Sequence, residues 1–108
     1  MYFCDAGNRL PKEISPGVFT RTFWANNMLA SLIELSPNSV VPLHAHPQEQ
    51  VGTVLEGELH MTIAGETRLI KAGEAYVKPG HVEHGAKAGE KSAKVFDVFS
   101  PVREDYKY

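Results

Sequence analysis

The chain has 108 residues and a formal charge of -2, which fits one domain and excludes a strongly basic nucleic-acid binder. Hydrophobic residues at 43% and charged residues at 22% exclude a disordered chain. The single cysteine, Cys4, excludes an internal disulfide, so the core forms from apolar packing, with a metal site or a dimer interface as the available additional sources of stability.

No segment approaches the roughly 18 apolar residues of a membrane span. The opening Met1-Tyr2-Phe3-Cys4-Asp5 lacks the basic-then-apolar pattern of a secretory leader, so the cytoplasm is the expected location and no membrane partner is expected. Turn-forming glycines and prolines recur at intervals of about 6–12 residues, which suits short strands and leaves no room for ordinary helices. The predicted strands, in chain order, begin with Val18–Trp24, rich in aromatic and β-branched residues. Met28–Leu35 follows; its Leu29, Leu32 and Ile33 have helical spacing, but Pro37 and the neighbouring strands argue for β. Gln50–Leu55 and Glu58–Ala64 read as a hairpin pair around Gly57, followed by Thr67–Ile70, Ala75–Lys78 and Ala93–Phe99. So many short strands predict an all-β sandwich or barrel. The last strand carries bulk on both faces: one face fills a barrel, and the other needs a second sheet or a partner subunit, which points to a homodimer.

Of the five histidines, His44 and His46 stand two apart in V-P-L-H-A-H-P. On a strand that spacing puts both imidazoles on one face, where they can converge on a divalent transition metal. A short H-x-H is as often a pair of surface residues. His60, between Leu59 and Met61, is expected to face solvent, and His81, in the Pro79-Gly80 turn, to be a turn residue.

Two longer stretches change that balance. H-A-H-P-Q-E-Q-V-G-T-V-L-E-G from His44 resembles the cupin pattern H-x-H-x3-E-x6-G at His44, His46 and Gly57. G-E-A-Y-V-K-P-G-H-V-E-H from Gly73 resembles the second cupin pattern, G-x5-P-x-G-x2-H, at Gly73, Pro79 and His84. The resemblance implies a small single-domain cupin, a double-stranded β-helix (jelly-roll) barrel with a metal inside, with its core at about residues 28–99, N-terminal strands in 1–27 and a tail at 100–108. Three positions depart from the patterns: Gln50 where a glutamate ligand is usual, His81 at the usual glycine, and Ala88 where an asparagine often follows. With Gln50 as ligand, the metal keeps its full charge, which favours Lewis-acid chemistry on an anion over dioxygen chemistry. Glu49 is the alternative ligand, but strand alternation turns it to the opposite face.

Asp97 lies in V-F-D-V-F, where an ionised carboxylate needs a partner. It is either an edge-strand or structurally paired residue or an acid–base group inside the barrel; Phe99 shares its face. By composition alone, Arg103 reads as a solvated tail residue. The ending D-V-F-S-P-V-R-E-D-Y, together with three histidines and a glutamine, is similar to the KdgF pectin-degradation family of small cupins, with Tyr106 where phenylalanine is usual. That resemblance implies metal ligands at His44, His46, Gln50 and His84, and active-site roles for Asp97, Phe99 and Arg103. It implies a divalent metal, with Zn, Ni, Fe, Mn and Co all admissible, and a small-molecule substrate, a 4,5-unsaturated uronate that is ring-opened without redox change. The competing expectations are a non-catalytic cupin that binds a sugar acid, a cupin dioxygenase, and a barrel with a vestigial site.

Overall fold

The computed structural model describes residues 2–108. Ten strands occur in chain order: β1 Lys12–Ser15, β2 Val18–Trp24, β3 Leu29–Leu35, β4 Val40–His44, β5 Glu49–Glu56, β6 Glu58–Ile63, β7 Glu66–Lys71, β8 Ala75–Lys78, β9 His84–Ala88 and β10 Ala93–Ser100. Ala6–Asn8 and Glu104–Tyr106 form single 3-10 turns. All strand pairs are antiparallel. One sheet has the order β1-β2-β3-β10-β5-β8 and the other β4-β9-β6-β7. Their inner faces share a core of Val18, Leu35, Val54, Leu59, Met61, Ala88 and Val95. This is the all-β jelly roll that the turn spacing and the two motifs predict. Among the described residues, no helix is long and apolar enough to cross a membrane.

The expected hairpin around Gly57 does not form. β5 pairs with β10 and β8 in one sheet, while β6 pairs with β7 and β9 in the other. Gly57, at φ 75°, turns the chain from one layer to the other, and an added Cβ there would stand 2.5 Å from the Ser92 carbonyl oxygen. Left-handed backbone and a close approach both demand glycine, in a crossover as much as in a hairpin. Met28–Leu35 is β, as expected, because β3 is sandwiched between β2 and β10 and its backbone groups are paired on both sides.

The larger sheet places the site through its register. Side chains alternate, so inward positions step by two along each strand. The row Ile33, Val95, Val54 is apolar. The next inward row is Ser31, Asp97, Gly52, Tyr76, and the one beyond it Leu29, Phe99, Gln50, Lys78. The barrel is thus hydrophobic at one end and chemically equipped at the other. Leu29 and Phe99 are almost completely buried and anchor the equipped end, each contributing about 1.5–3 kcal/mol of burial. The outer face of β10 carries Phe96 and Val98, beside Val51 at 46% and Val77 at 61% exposure.

Candidate functional site

Three imidazoles meet at the equipped end: the ligand-capable atoms of His44, His46 and His84 all lie within 4.8 Å of one another. The convergence is not the strand-face alternation that H-x-H predicts. β4 stops at His44, with an irregular register between Val41 and His44, and His46 lies in the following loop. His84 opens β9 directly opposite His44. The turn before it contains His81 at φ 66°, and the His81 backbone N–H donates to the His46 carbonyl at 2.7 Å. A left-handed φ explains why glycine suits that position in the second motif. His60 faces outward on β6, and His81 is exposed in its turn.

The three rings are oriented in the same way. Nδ1 of His44 bonds the Pro42 carbonyl at 2.9 Å, Nδ1 of His46 the Gln48 carbonyl at 3.0 Å, and Nδ1 of His84 the Val82 carbonyl at 2.9 Å. A carbonyl only accepts, so each Nδ1 carries the proton and each Nε2 is left as a bare lone pair. Nε2 of His84 is buried with no hydrogen-bond partner among the described residues. Burial lowers the pKa of all three imidazoles, that of His84 to about 4. Desolvation is the main cause, and the nearby cations Arg103 and Lys78 add to it at His44. The rings are therefore held neutral, the form that binds a metal.

Gln50, buried on β5, faces this cluster, while Glu49 is exposed, as strand alternation requires. Gln50 Nε2 donates to Asp97 Oδ2 at 2.8 Å, and its Oε1 lies 3.1 Å from His46 Nε2. With Nδ1 of His46 spent on Gln48, that last contact sets two acceptors face to face. Flipping the amide would only move the conflict to Asp97. A cation among the three Nε2 atoms and Oε1 resolves it, and orienting hydrogen bonds on the far ring nitrogens are what metal-binding histidines ordinarily have. The donor set, three neutral imidazoles and an amide oxygen, therefore fits a divalent transition metal.

Asp97 is buried and points inward. β10 lies between β3 and β5, so the edge-strand reading of Asp97 does not apply. Tyr76 donates its hydroxyl to Oδ1 at 2.6 Å. Burial raises the Asp97 pKa, opposed by the charge of Lys78 and the hydrogen bonds from Tyr76 and Gln50. Gly52 makes the arrangement possible, because a Cβ there would sit 1.9 Å from Asp97 Oδ1 and 2.7 Å from the Tyr76 ring.

Arg103 is not the solvated tail residue that composition predicts: its side chain is only 11% exposed. Its guanidinium lies 3.7 Å from the Tyr106 ring centroid and 5.3 Å from that of Phe99, and it pairs with Asp105 at 3.4 Å. Thr22 Oγ1 donates to the Tyr106 carbonyl at 2.7 Å, which fastens the tail beside the cavity. Asp97, Phe99, Arg103, Gln50, His44 and His84 line one cavity. Tyr106, noted from sequence only as a replacement for phenylalanine, lines it too, as do Tyr76 and Lys78, which were not singled out from sequence. Lys78 and Tyr76 stand two apart on β8, level with Gln50 and Gly52. The alternation A-Y-V-K was the available signal, but lysine at a strand end ordinarily reads as surface.

Comparison with known proteins agrees with this fold. The cupin domain family matches residues 31–99. The pectin degradation protein KdgF of Dickeya dadantii (strain 3937) is 27% identical over 97% of this chain and 96% of its own length. Among solved structures, an RmlC-like cupin from Shewanella frigidimarina superposes with a TM-score of 0.91 at 29% identity, covering 98% of this chain and 96% of that one. KdgF from a Halomonas species superposes with a TM-score of 0.87 at 29% identity, covering 97% of this chain and 96% of that one.

Proposed function

The chain belongs to the cupin domain family, and from that premise we propose that it is an isomerase-like enzyme that linearises 4,5-unsaturated uronate monosaccharides. The likeness to two KdgF proteins along nearly the whole chain supports this reading. The observation that carries it is the linkage of a buried carboxylate, Asp97, through Gln50 to the histidine cluster within one cavity.

In such a sugar, the ring oxygen joins the hemiacetal carbon C1 to C5 of a C4=C5 double bond. The C1 hydroxyl loses its proton, the bond from C1 to the ring oxygen breaks, and C1 becomes an aldehyde. The ring oxygen stays on C5 as an enolate, and a proton added at C4 converts C5 to a ketone. No water and no redox equivalent is consumed.

His44, His46, Gln50 and His84 would hold a divalent transition metal, whose role when bound is Lewis-acid stabilisation of the developing oxyanion. Asp97 takes the proton from the C1 hydroxyl and returns one to C4, a task suited to a carboxylate whose proton affinity burial has raised. Tyr76 and Gln50 fix the carboxylate by one hydrogen bond to each oxygen, which holds it in a single orientation. Arg103 presents a planar cation to the substrate carboxylate. Phe99, on the wall of the cavity, packs against the sugar and excludes water.

The test is a linearisation assay on unsaturated galacturonate freshly released by a lyase. The ultraviolet absorbance of the C4=C5 bond should decay far faster with the protein than without it, and a chelator should abolish the difference. Decay at the spontaneous rate with metal-loaded protein overturns the reading.

A further inference from the structure

Lys78 is a buried cation without a protein acceptor. It ends β8, is only 5% exposed, and points into the barrel level with Gln50. Its Nζ makes no hydrogen bond or ion pair among the described residues and stands 4.8 Å from the centroid of the Tyr76 ring. Asp97 attracts it through space, but both Asp97 oxygens are already engaged by Tyr76 and Gln50. An ammonium largely removed from solvent and without a protein acceptor is costly, and this one, not fully enclosed, is open to the cavity it lines. Such a group persists where a ligand supplies the missing oxygen.

The cavity gives that ligand its sign. Its metal-ligand candidates are all neutral, Asp97 is its one carboxylate, and Lys78 and Arg103 are both on its wall. The two cations differ in situation. Arg103 lies near the tail, stacked on Tyr106 and paired with Asp105. Lys78 lies inside, unpaired. The charges of both lower the pKa of His44, so both lie within electrostatic reach of that imidazole.

The geometry points to Lys78 as an anion-binding residue that takes one oxygen of the substrate carboxylate, the inner arm of a two-cation clamp whose outer arm is Arg103. The choice of a uronate as the anion rests on the function proposed above. A carboxylate held from two sides is fixed in rotation, which presents the sugar ring to Asp97 in one orientation. The neutral side chain of Gln50 and the inward-facing Lys78 serve the same end, since each leaves positive charge in the cavity to meet a negative ligand.

The probe is D-galacturonate, a saturated uronate that does not react, titrated calorimetrically into metal-loaded protein. Lys78→Met keeps the length of the stem and removes the charge. It should fold with an unchanged metal content and an equal or higher unfolding temperature, because an unpaired buried charge is gone. Galacturonate should bind about 10- to 100-fold more weakly, the value of a charge-assisted hydrogen bond, with a matching rise in KM for unsaturated galacturonate. Lys78→Arg, which keeps the charge, should lie closer to the wild type. If the methionine variant does not fold, Lys78→Gln takes its place. Wild-type affinity for galacturonate in a folded, neutral variant overturns the proposal, as does a wild type that binds no galacturonate. Lys78-dependent binding without turnover of the unsaturated sugar would instead overturn the linearisation reading and leave this assignment standing.

Discussion

Gln50 donates from Nε2 to Oδ2 of Asp97 at 2.8 Å and thereby turns its Oε1 toward His46, 3.1 Å away. One hydrogen bond thus sets which end of the amide faces the imidazoles. It also gives a reason for glutamine where the cupin pattern has glutamate. A carboxylate at position 50 would lie against the carboxylate of Asp97 in a buried place, and one of the two would have to bind a proton.

Replacing Gln50 by Glu should therefore cost more than a conservative exchange suggests. The Gln50→Glu protein is expected to retain metal and fold, but to lose at least about tenfold in turnover, because its new carboxyl competes with Asp97 for one proton. Metal analysis and the uronate assay on the same preparation check this. Undiminished turnover would mean that the amide does not set the state of Asp97.

Asp97→Ala should leave the metal content intact and lower turnover by about 10²–10⁴-fold, the usual range for a lost acid–base group. It also strips the partners from the Tyr76 hydroxyl and the Gln50 amide. Each buried donor left unpaired costs about 1–3 kcal/mol, so the unfolding temperature should fall as well. Wild-type rates in a folded Asp97→Ala protein would exclude the proton-shuttle role.

Gly52 offers a sharper test of the same network, because it is not among the residues that line the cavity. An added methyl would displace Asp97 Oδ1, 1.9 Å away, and press on the Tyr76 ring at 2.7 Å. Gly52→Ala should destabilise the protein by about 1–3 kcal/mol through overpacking. Turnover should fall with metal content unchanged, which a denaturation curve and metal analysis read separately.

The outcomes for these residues show what the sequence makes legible. Val18–Trp24 and Ala75–Lys78 match β2 and β8 in full because aromatic and β-branched residues between turns leave little choice. β1, β4 and β9 escaped: K-E-I-S, V-V-P-L-H and H-G-A-K-A have weak strand character alone and are strands through their cross-strand partners. Gly57 shows a related limit, since its backbone requirement is the same for a hairpin and for a change of sheet. The histidines were legible from their motifs. Lys78 was not, because only its register beside Gln50 separates a strand-end lysine inside the barrel from one in solvent.

Removal of the metal should be visible without any substrate. An ion present at about 100 times its dissociation constant stabilises the folded chain by about 2.7 kcal/mol, or roughly 10–20 °C in unfolding temperature for a chain of this size. Chelation should lower the midpoint by that order, and added Zn, Ni, Co or Mn should restore it. His84→Ala, which removes the buried unpartnered Nε2, should show no metal-dependent shift. A midpoint indifferent to both chelator and metal would sink the metal-site reading.

The tail supplies the last test, because Arg103 reaches the cavity only while residues 104–108 stay docked. Thr22 holds that segment at two points: its Oγ1 donates to the Tyr106 carbonyl at 2.7 Å and accepts from the Tyr108 N–H at 3.3 Å. Arg9 adds a hydrogen bond to the Tyr108 carbonyl. Thr22→Val keeps the shape of a buried strand residue and removes these contacts, weakening docking by about 0.5–1.5 kcal/mol for each hydrogen bond lost. The barrel itself is not held by the tail, so global stability should change little. The C-terminal residues should be cut faster by carboxypeptidase, and KM should rise while kcat changes less, because the loss is in binding the substrate carboxylate and not in moving a proton. Arg103→Lys separates charge from shape. It keeps a cation but loses the planar stack on Tyr106, so it should recover little of the binding lost in Arg103→Ala. Full recovery by lysine would mean that the stacked plane has no part in substrate binding.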